Sequence, residues 1–309
     1  MNKKFIVFLS LISCYYFSKA QIKDTTFWNR NFEVGVNINQ AAFNGSWQST
    51  QGGSNSFVIA AFLFAKSDYT QFKSNVLNDL QLQYGKTYND IIFDYLGGNQ
   101  WRKNIDRIFF DNKYSYGITP TLGIFGSVVF QSQFDEGLRF EKTKVNNPGS
   151  DSAVVISNFL APGYLDEAAG IEWKPVPYFS LRLGAVAFRQ SFSINNYVTQ
   201  SITKPDGTHH GVGEGLKVKN EFGLNALAKF DKDLATNINL KVIGQYFTAY
   251  ENLRVGTVRF DAVFTAKITR FINVNLSGVF LYNPYQIERW QITEAMAVGV
   301  VYKLTNIPK

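Results

Sequence analysis

The stretch TVRFDAVFTAKITRFINVNLSGVFLY, from Thr257 to Tyr282, decides the fold class. In its first half Val258, Phe260, Ala262, Phe264, Ala266 and Ile268 alternate with Arg259, Asp261, Val263, Thr265, Lys267 and Thr269. Period two is thus held for about twice the length of an average soluble strand. After Arg270 and Phe271 the alternation resumes as Val274, Leu276, Gly278, Phe280 and Tyr282 against Asn273, Asn275, Ser277, Val279 and Leu281. The pair reads as one long antiparallel hairpin, greasy on one face and carrying Arg, Asp, Lys and Asn on the other. A soluble sheet buries the greasy face. A membrane barrel turns it to lipid and keeps the polar face in the lumen.

The start of the chain favours the second arrangement. Lys3 and Lys4 precede an apolar run from Phe5 to Phe17, and Ser18-Lys19-Ala20 places small residues where signal peptidase reads. Residues 1–20 therefore read as a secretory signal, too short to span a bilayer as a helix, and residues 21–309 as a single barrel domain. Leu11-Ile12-Ser13-Cys14 also resembles a lipobox, which would make Cys14 a lipidation site; against it, Tyr15, Tyr16 and Phe17 continue the apolar core past the cysteine. Cys14 is the single cysteine, so cleavage before Gln21 leaves a chain held by hydrogen bonding and burial alone.

Composition excludes other classes. Phe and Tyr, 28 and 16 residues, are over-used for a soluble domain. The formal charge of +7 falls when Lys3, Lys4 and Lys19 leave: 31 − 3 = 28 bases against 24 acids, or +4. That excess is scattered, so nucleic acid is not an expected partner.

Period-two segments predict about twelve strands, with ten to fourteen as the bounds. They lie near residues 31–39, 57–66, 72–84, 105–116, 122–134, 164–173, 179–188, 216–230, from 238, the two arms of the hairpin, and 290–302. Connections after the second, fourth, sixth, eighth and tenth are short: 67–70, 117–120, 174–177, 231–237 and 270–271. Those after the first, third, fifth and seventh are long: 40–56, 85–104, 135–163 and 190–215. Short periplasmic turns alternating with long extracellular loops are the habit of an all-β, antiparallel, up-and-down transmembrane barrel. All eight prolines fall in connections or the tail, where no ladder hydrogen bond is lost. Aromatics near strand ends, Tyr114, Tyr116, Phe134, Tyr164, Tyr178, Tyr246, Tyr250, Phe271, Tyr282, Trp290 and Tyr302, suit interfacial girdles.

Several short motifs carry a family resemblance. They are Phe43-Asn44-Gly45-Ser46-Trp47, Gly52-Gly53-Ser54-Asn55-Ser56, Asn78 through Tyr84-Gly85, Ser157-Asn158-Phe159-Leu160-Ala161-Pro162-Gly163-Tyr164, and Thr293-Glu294 with Val298-Gly299-Val300-Val301-Tyr302. Together they resemble an uncharacterised domain-of-unknown-function family of secreted proteins from Gram-negative bacteria, generally taken to be outer-membrane barrels. The resemblance implies a fold and a location in outer-membrane lipid, with insertion by the barrel-assembly machinery. It brings no activity and no site. The ending Asn306-Ile307-Pro308-Lys309 departs from the aromatic final residue usual in barrels, which displaces any assembly signal inward to Tyr302 or Leu304.

No constellation carries convincing catalytic chemistry. The only histidines, His209 and His210, are adjacent in one loop beside Asp206; they read as a solvated loop tip between Gly207 and Gly211 rather than a metal site, since no second ligand cluster stands at recognisable spacing. No catalytic residue, cofactor or metal is expected. The polar strand faces are the other candidate: Arg182, Lys217, Lys219, Glu221, Lys229, Lys241, Arg259, Asp261 and Lys267 would line a mixed-charge, slightly basic lumen, either as a weakly anion-preferring channel or as pairs that plug a narrow barrel. Trp47, Asn158, Phe159, Tyr164, His209 and His210 are loop candidates for gating or partner contact. The leading expectation is a pore or transport element for small solutes. The alternatives are a non-conducting barrel docked in an envelope complex and, third, an outer-leaflet enzyme.

Overall fold

The computed structural model describes residues 27–42, 44, 46, 50–51, 55–89, 101–141, 152–198 and 208–306. The signal segment and its cleavage site, Cys14, Trp47 and the Gly52-Gly53 pair lie outside them. Twelve antiparallel strands close into a barrel: β1 (Trp28–Ala41), β2 (Ser56–Gln71), β3 (Ser74–Asn89), β4 (Trp101–Gly117), β5 (Leu122–Ser132), β8 (Gly163–Val176), β9 (Phe179–Phe192), β10 (Val218–Ala235), β11 (Ile238–Ala249), β12 (Gly256–Lys267), β13 (Ile272–Asn283) and β14 (Ile287–Asn306). β6 (Gly137–Glu141) and β7 (Ser152–Ser157) form a separate hairpin. Each barrel strand pairs with its neighbour in sequence, β5 with β8 across that hairpin, and β1 joins β14 at the seam from Arg30↔Asn306 to Ile38↔Val298.

The hairpin from Thr257 to Tyr282 has the expected register, with Phe260 opposite Phe280 and Phe264 opposite Leu276. Its apolar residues face out, as do most of those of the other strands: Val186 is 68% exposed, Phe222 65% and Met296 64%. Inward positions are the reverse. Phe109 and Asp111 are fully buried, and Phe247 is 1% exposed. Such a surface in water would expose apolar side chains over the whole circumference. In lipid it is the required one, and a closed ladder leaves no backbone edge unpaired there. Exposed aromatics mark both rims, Tyr114, Tyr116, Trp173 and Tyr302 at the short-turn end and Trp101, Tyr250 and Trp290 at the other. The chain is an outer-membrane-type barrel.

Some sequence expectations shift. Strands outrun their apolar segments because their polar ends continue pairing beyond the greasy band; β2 runs to Gln71, so the first short turn is Phe72-Lys73 and not residues 67–70. Phe72 takes φ 52° there and is 96% exposed. The long connection at 135–163 is not featureless: Leu138, Arg139, Phe140 and Glu141 pair with Val155, Val154, Ala153 and Ser152 in the β6–β7 hairpin. Its strands are too short to have shown a period. Tyr164 is neither a loop residue nor a girdle residue, because β8 begins at Gly163 and Tyr164 turns into the lumen opposite Gln131.

Candidate functional site

The lumen is crossed by side chains. On β4 the inward positions are Arg107, Phe109, Asp111 and Lys113, set by the pairing of Gln83, Gln81, Asp79 and Leu77 of β3 opposite them. Nearest the short turns, Lys113 Nζ donates to Glu172 Oε1 at 2.6 Å and Lys174 reaches Glu172 Oε2 at 3.1 Å. Above that, Arg182 grips Asp111 with both terminal nitrogens, Nη1 at 2.9 Å. Lys229 joins Asp111 at 2.8 Å to Asp79 at 2.7 Å. Asp79 and Asp111 face each other on β3 and β4, and the cations from β9 and β10 hold the two like charges together.

The third tier spans the full diameter. Arg107 Nη1 meets Asp261 Oδ1 at 3.1 Å, and their strands, β4 and β12, stand six places apart in the ring of twelve. Arg259 binds the same carboxylate from its own strand, at 2.8 Å to each oxygen. Arg189 pairs with Asp166, Nη2 to Oδ2 at 2.8 Å, donates to Thr257 Oγ1 at 2.8 Å and stacks over Phe247 at 4.0 Å. Phe62 and Phe64, stacked at 5.0 Å, also point inward, and Lys241 lies over Phe64 at 5.5 Å. With Leu63 on the opposite face, β2 is therefore apolar on both faces. Buried ion pairs need this geometry, since an unpartnered charge in the lumen would carry its full desolvation cost.

Above the tiers, at the long-loop end, lies a cavity of about 690 Å³. Its wall includes Arg107, Arg139, Arg189 and Arg259 with Tyr164, His210 and several amides; among the described residues Asp106 is its single acidic lining residue. At its mouth Glu221 accepts from Lys219 Nζ and from the Tyr285 hydroxyl, both at 2.8 Å. Burial, with Glu221 alongside, pushes the Tyr285 phenol well above its usual value, so it stays a donor. A hollow of about 420 Å³ near Phe72, Pro120 and Glu172 lies at the opposite end. Between the two hollows stand the ion-pair tiers.

The nine polar-face residues are distributed as follows. Arg182, Glu221, Lys229, Lys241, Arg259 and Asp261 are drawn into the lumen, with Lys219 at its mouth. Lys217 precedes β10 and Lys267 ends β12; both are exposed at the rims rather than within the lumen, because the strand's parity outlasts the enclosed segment. Among the loop candidates, Asn158 bridges Ala161, and Gln133 Nε2 donates to both their carbonyls. Phe159 beside them is exposed. His209 and His210 are not a solvated tip. His210 at φ 52° and Gly211 at φ 82° turn the chain back so that His209 pairs with Val212 and is fully buried, its Nε2 3.2 Å from the Leu216 carbonyl. Among the described residues no group of three or more His, Cys, Asp or Glu is placed to hold a metal ion.

Sequence reasoning missed Arg107, Asp111, Lys113, Asp166, Glu172 and Arg189. A signal was present on β4: odd positions from Arg107 to Ser115 share a face, but Phe109 sits among the charges and blurs the contrast that period two relies on.

No curated protein matches the chain. Among solved structures it is similar to the translocator domain of the autotransporter NalP from Neisseria meningitidis, with 10% identity over 96% of this chain and 95% of that one and a TM-score of 0.37. It is also similar to the NanC porin, with 6% identity over 88% and 100% and a TM-score of 0.38. An outer membrane channel from Pseudomonas putida F1 shows 9% identity over 92% and 97%, with a TM-score of 0.38. The motifs from Ser157 and from Thr293 lie outside the stretch that a family model covers. From Ile38 in β1 to Leu138 in β6, residues 38–138, the chain matches the family described as protein of unknown function (DUF3078).

Proposed function

We propose that this barrel is an outer-membrane transport element for small solutes whose lumen is closed at rest by its own ion pairs. The observation that carries the reading is the Arg107–Asp261 contact at 3.1 Å between opposite walls, beneath a vestibule large enough for a small organic molecule. The bonds that close the lumen are ionic and therefore separable by a field, a ligand or a partner, whereas an apolar plug would offer no such handle. Export by the signal in residues 1–20 and insertion by the barrel-assembly machinery belong to the same reading. So does the absence of an enzymatic role, since the lumen's carboxylates are committed to guanidinium and ammonium partners.

A second reading has its own support. The same filled midsection suits a non-conducting barrel that presents its loops to an envelope partner. Single-channel recording of the refolded chain in a planar bilayer separates them. Wild type is expected to insert and stay closed. The double variant Arg107→Ala/Asp261→Ala and the triple variant that adds Asp111→Asn are expected to give steady current under the transport reading. Closed channels in every variant would move the assignment to docking, and a wild type that conducts steadily would overturn the closed lumen itself.

A further inference from the structure

We infer that the vestibule is a binding site for a small organic anion, held through its carboxylate or phosphate group by Arg107. The inference rests on the transport reading for the solute's onward path, and the site itself stands on three observations.

The first is charge. Arg107 and Arg259 share the single carboxylate of Asp261, so that trio carries one positive charge in excess at the floor of the cavity. Arg189 is matched by Asp166 and adds none of its own. The second is unspent hydrogen-bonding capacity. Only Nη1 of Arg107 is engaged by Asp261; its Nε and Nη2 are buried without a partner. A buried guanidinium with two idle nitrogens leaves donors that a planar oxyanion satisfies, whereas a cation or a neutral apolar solute leaves them stranded. The third is access and size. The cavity is at the long-loop end, and at about 690 Å³ it takes a drug-sized molecule with room for the body beyond the anionic group. That body meets Tyr164, Tyr285 and amide side chains beside Ile156, Leu281 and Ile287, which suits a frame that carries hydroxyls as well as apolar faces.

The test is calorimetric titration of the refolded protein in detergent with a set of related hexoses, glucuronate, glucose 6-phosphate, glucose and glucosamine, with inorganic phosphate as a separate arm. Glucuronate or glucose 6-phosphate is expected to bind at least ten-fold more tightly than glucose, and glucosamine not at all. A preference between the first two, and the strength of inorganic phosphate alone, tell a carboxylate site from a phosphate site. Arg107→Gln is expected to remove ten-fold or more of the anion's affinity. Should that variant fail to fold, the comparison of charged and neutral sugars on wild type still decides the matter. Glucose binding as tightly as glucuronate, no binding by any anion, or unchanged affinity in a folded Arg107→Gln would each overturn the inference. Binding without conductance in any variant would overturn the transport reading and leave this site in place; conductance without anion binding would do the opposite.

Discussion

Leu276→Arg tests whether the outward face meets lipid. Leu276 is half exposed, flanked at the same height by Phe264 of β12 and Met296 of β14, both outward. It stands four residues above Ile272, the start of β13 at the short-turn rim. At about 3.3 Å per residue that is about 13 Å along the strand. A tilt of about 45° reduces this to about 9 Å of depth, close to the middle of a hydrocarbon band about 25 Å tall. Arginine at the midplane of such a band costs about 2–4 kcal/mol, and near its edge about 0–1 kcal/mol. The two variants Leu276→Arg and Ile272→Arg should therefore differ by about 2–3 kcal/mol in denaturant unfolding from lipid vesicles, the deeper one being the less stable. On a water-facing sheet both would lie within about 0.5 kcal/mol of wild type. Equal, small effects at the two positions would refute the lipid-facing assignment, whatever the lumen contains.

Two further outcomes follow from local geometry. A Cβ on Gly223 would sit 2.0 Å from the Thr248 carbonyl oxygen, which is backbone and cannot yield, whereas one on Gly126 meets nothing within 4 Å. Gly223→Ala should destabilise the barrel by about 1–3 kcal/mol and Gly126→Ala stabilise it by about 0.4–1 kcal/mol, a reversal of sign that the same unfolding assay reads. Outside the membrane, the Tyr84 hydroxyl holds the Asp135 carboxyl below its ordinary value of 3.8, with the Glu136 amide and Lys86 assisting. A depressed carboxyl contributes stability that is complete above its unfolded value and is lost as pH falls through its folded one. Amide exchange at 134–138 should accordingly quicken below about pH 4, and Asp135→Asn should show the quickened rate at neutral pH; a wild type whose exchange pattern there is the same at pH 3 and pH 7, after correction for intrinsic rate, would remove the tie.

The exterior was legible because lipid demands one thing of every outward residue. Val258, Phe260, Phe264, Leu276 and Phe280 satisfy that demand in strict alternation, and the strand count followed from it. The lumen obeys no such rule. Its mid-layers accept Phe109, Phe247, Asp111 or Arg182 equally, provided each finds a partner, and the partner sits on a strand remote in sequence: 71 residues separate Arg182 from Asp111, and 150 separate Lys229 from Asp79. Charge lists from single strands identified Arg182, Lys229, Arg259 and Asp261 without showing which of them meet. The surplus at Arg107 was hidden for the same reason, as it appears only when β4 and β12 are placed opposite each other. His209 was misjudged because two positive φ values, not composition, fold its loop inward.

The seam between β1 and β14 has a consequence for how the molecule comes into being. Its ladder runs from Arg30↔Asn306 to Ile38↔Val298, so the first and last strands of the ring complete each other. Until both are present, every intermediate is a curled sheet with two unpaired edges, and none of its cross-lumen contacts has both walls in position. Arg107 cannot find Asp261, nor Lys229 find Asp79, before the sheet has rolled. Removing the last few residues of β14 would therefore cost more than the bonds they make. It would hold open a template that pairs with any free strand nearby, and the charges meant for each other would face lipid or water instead.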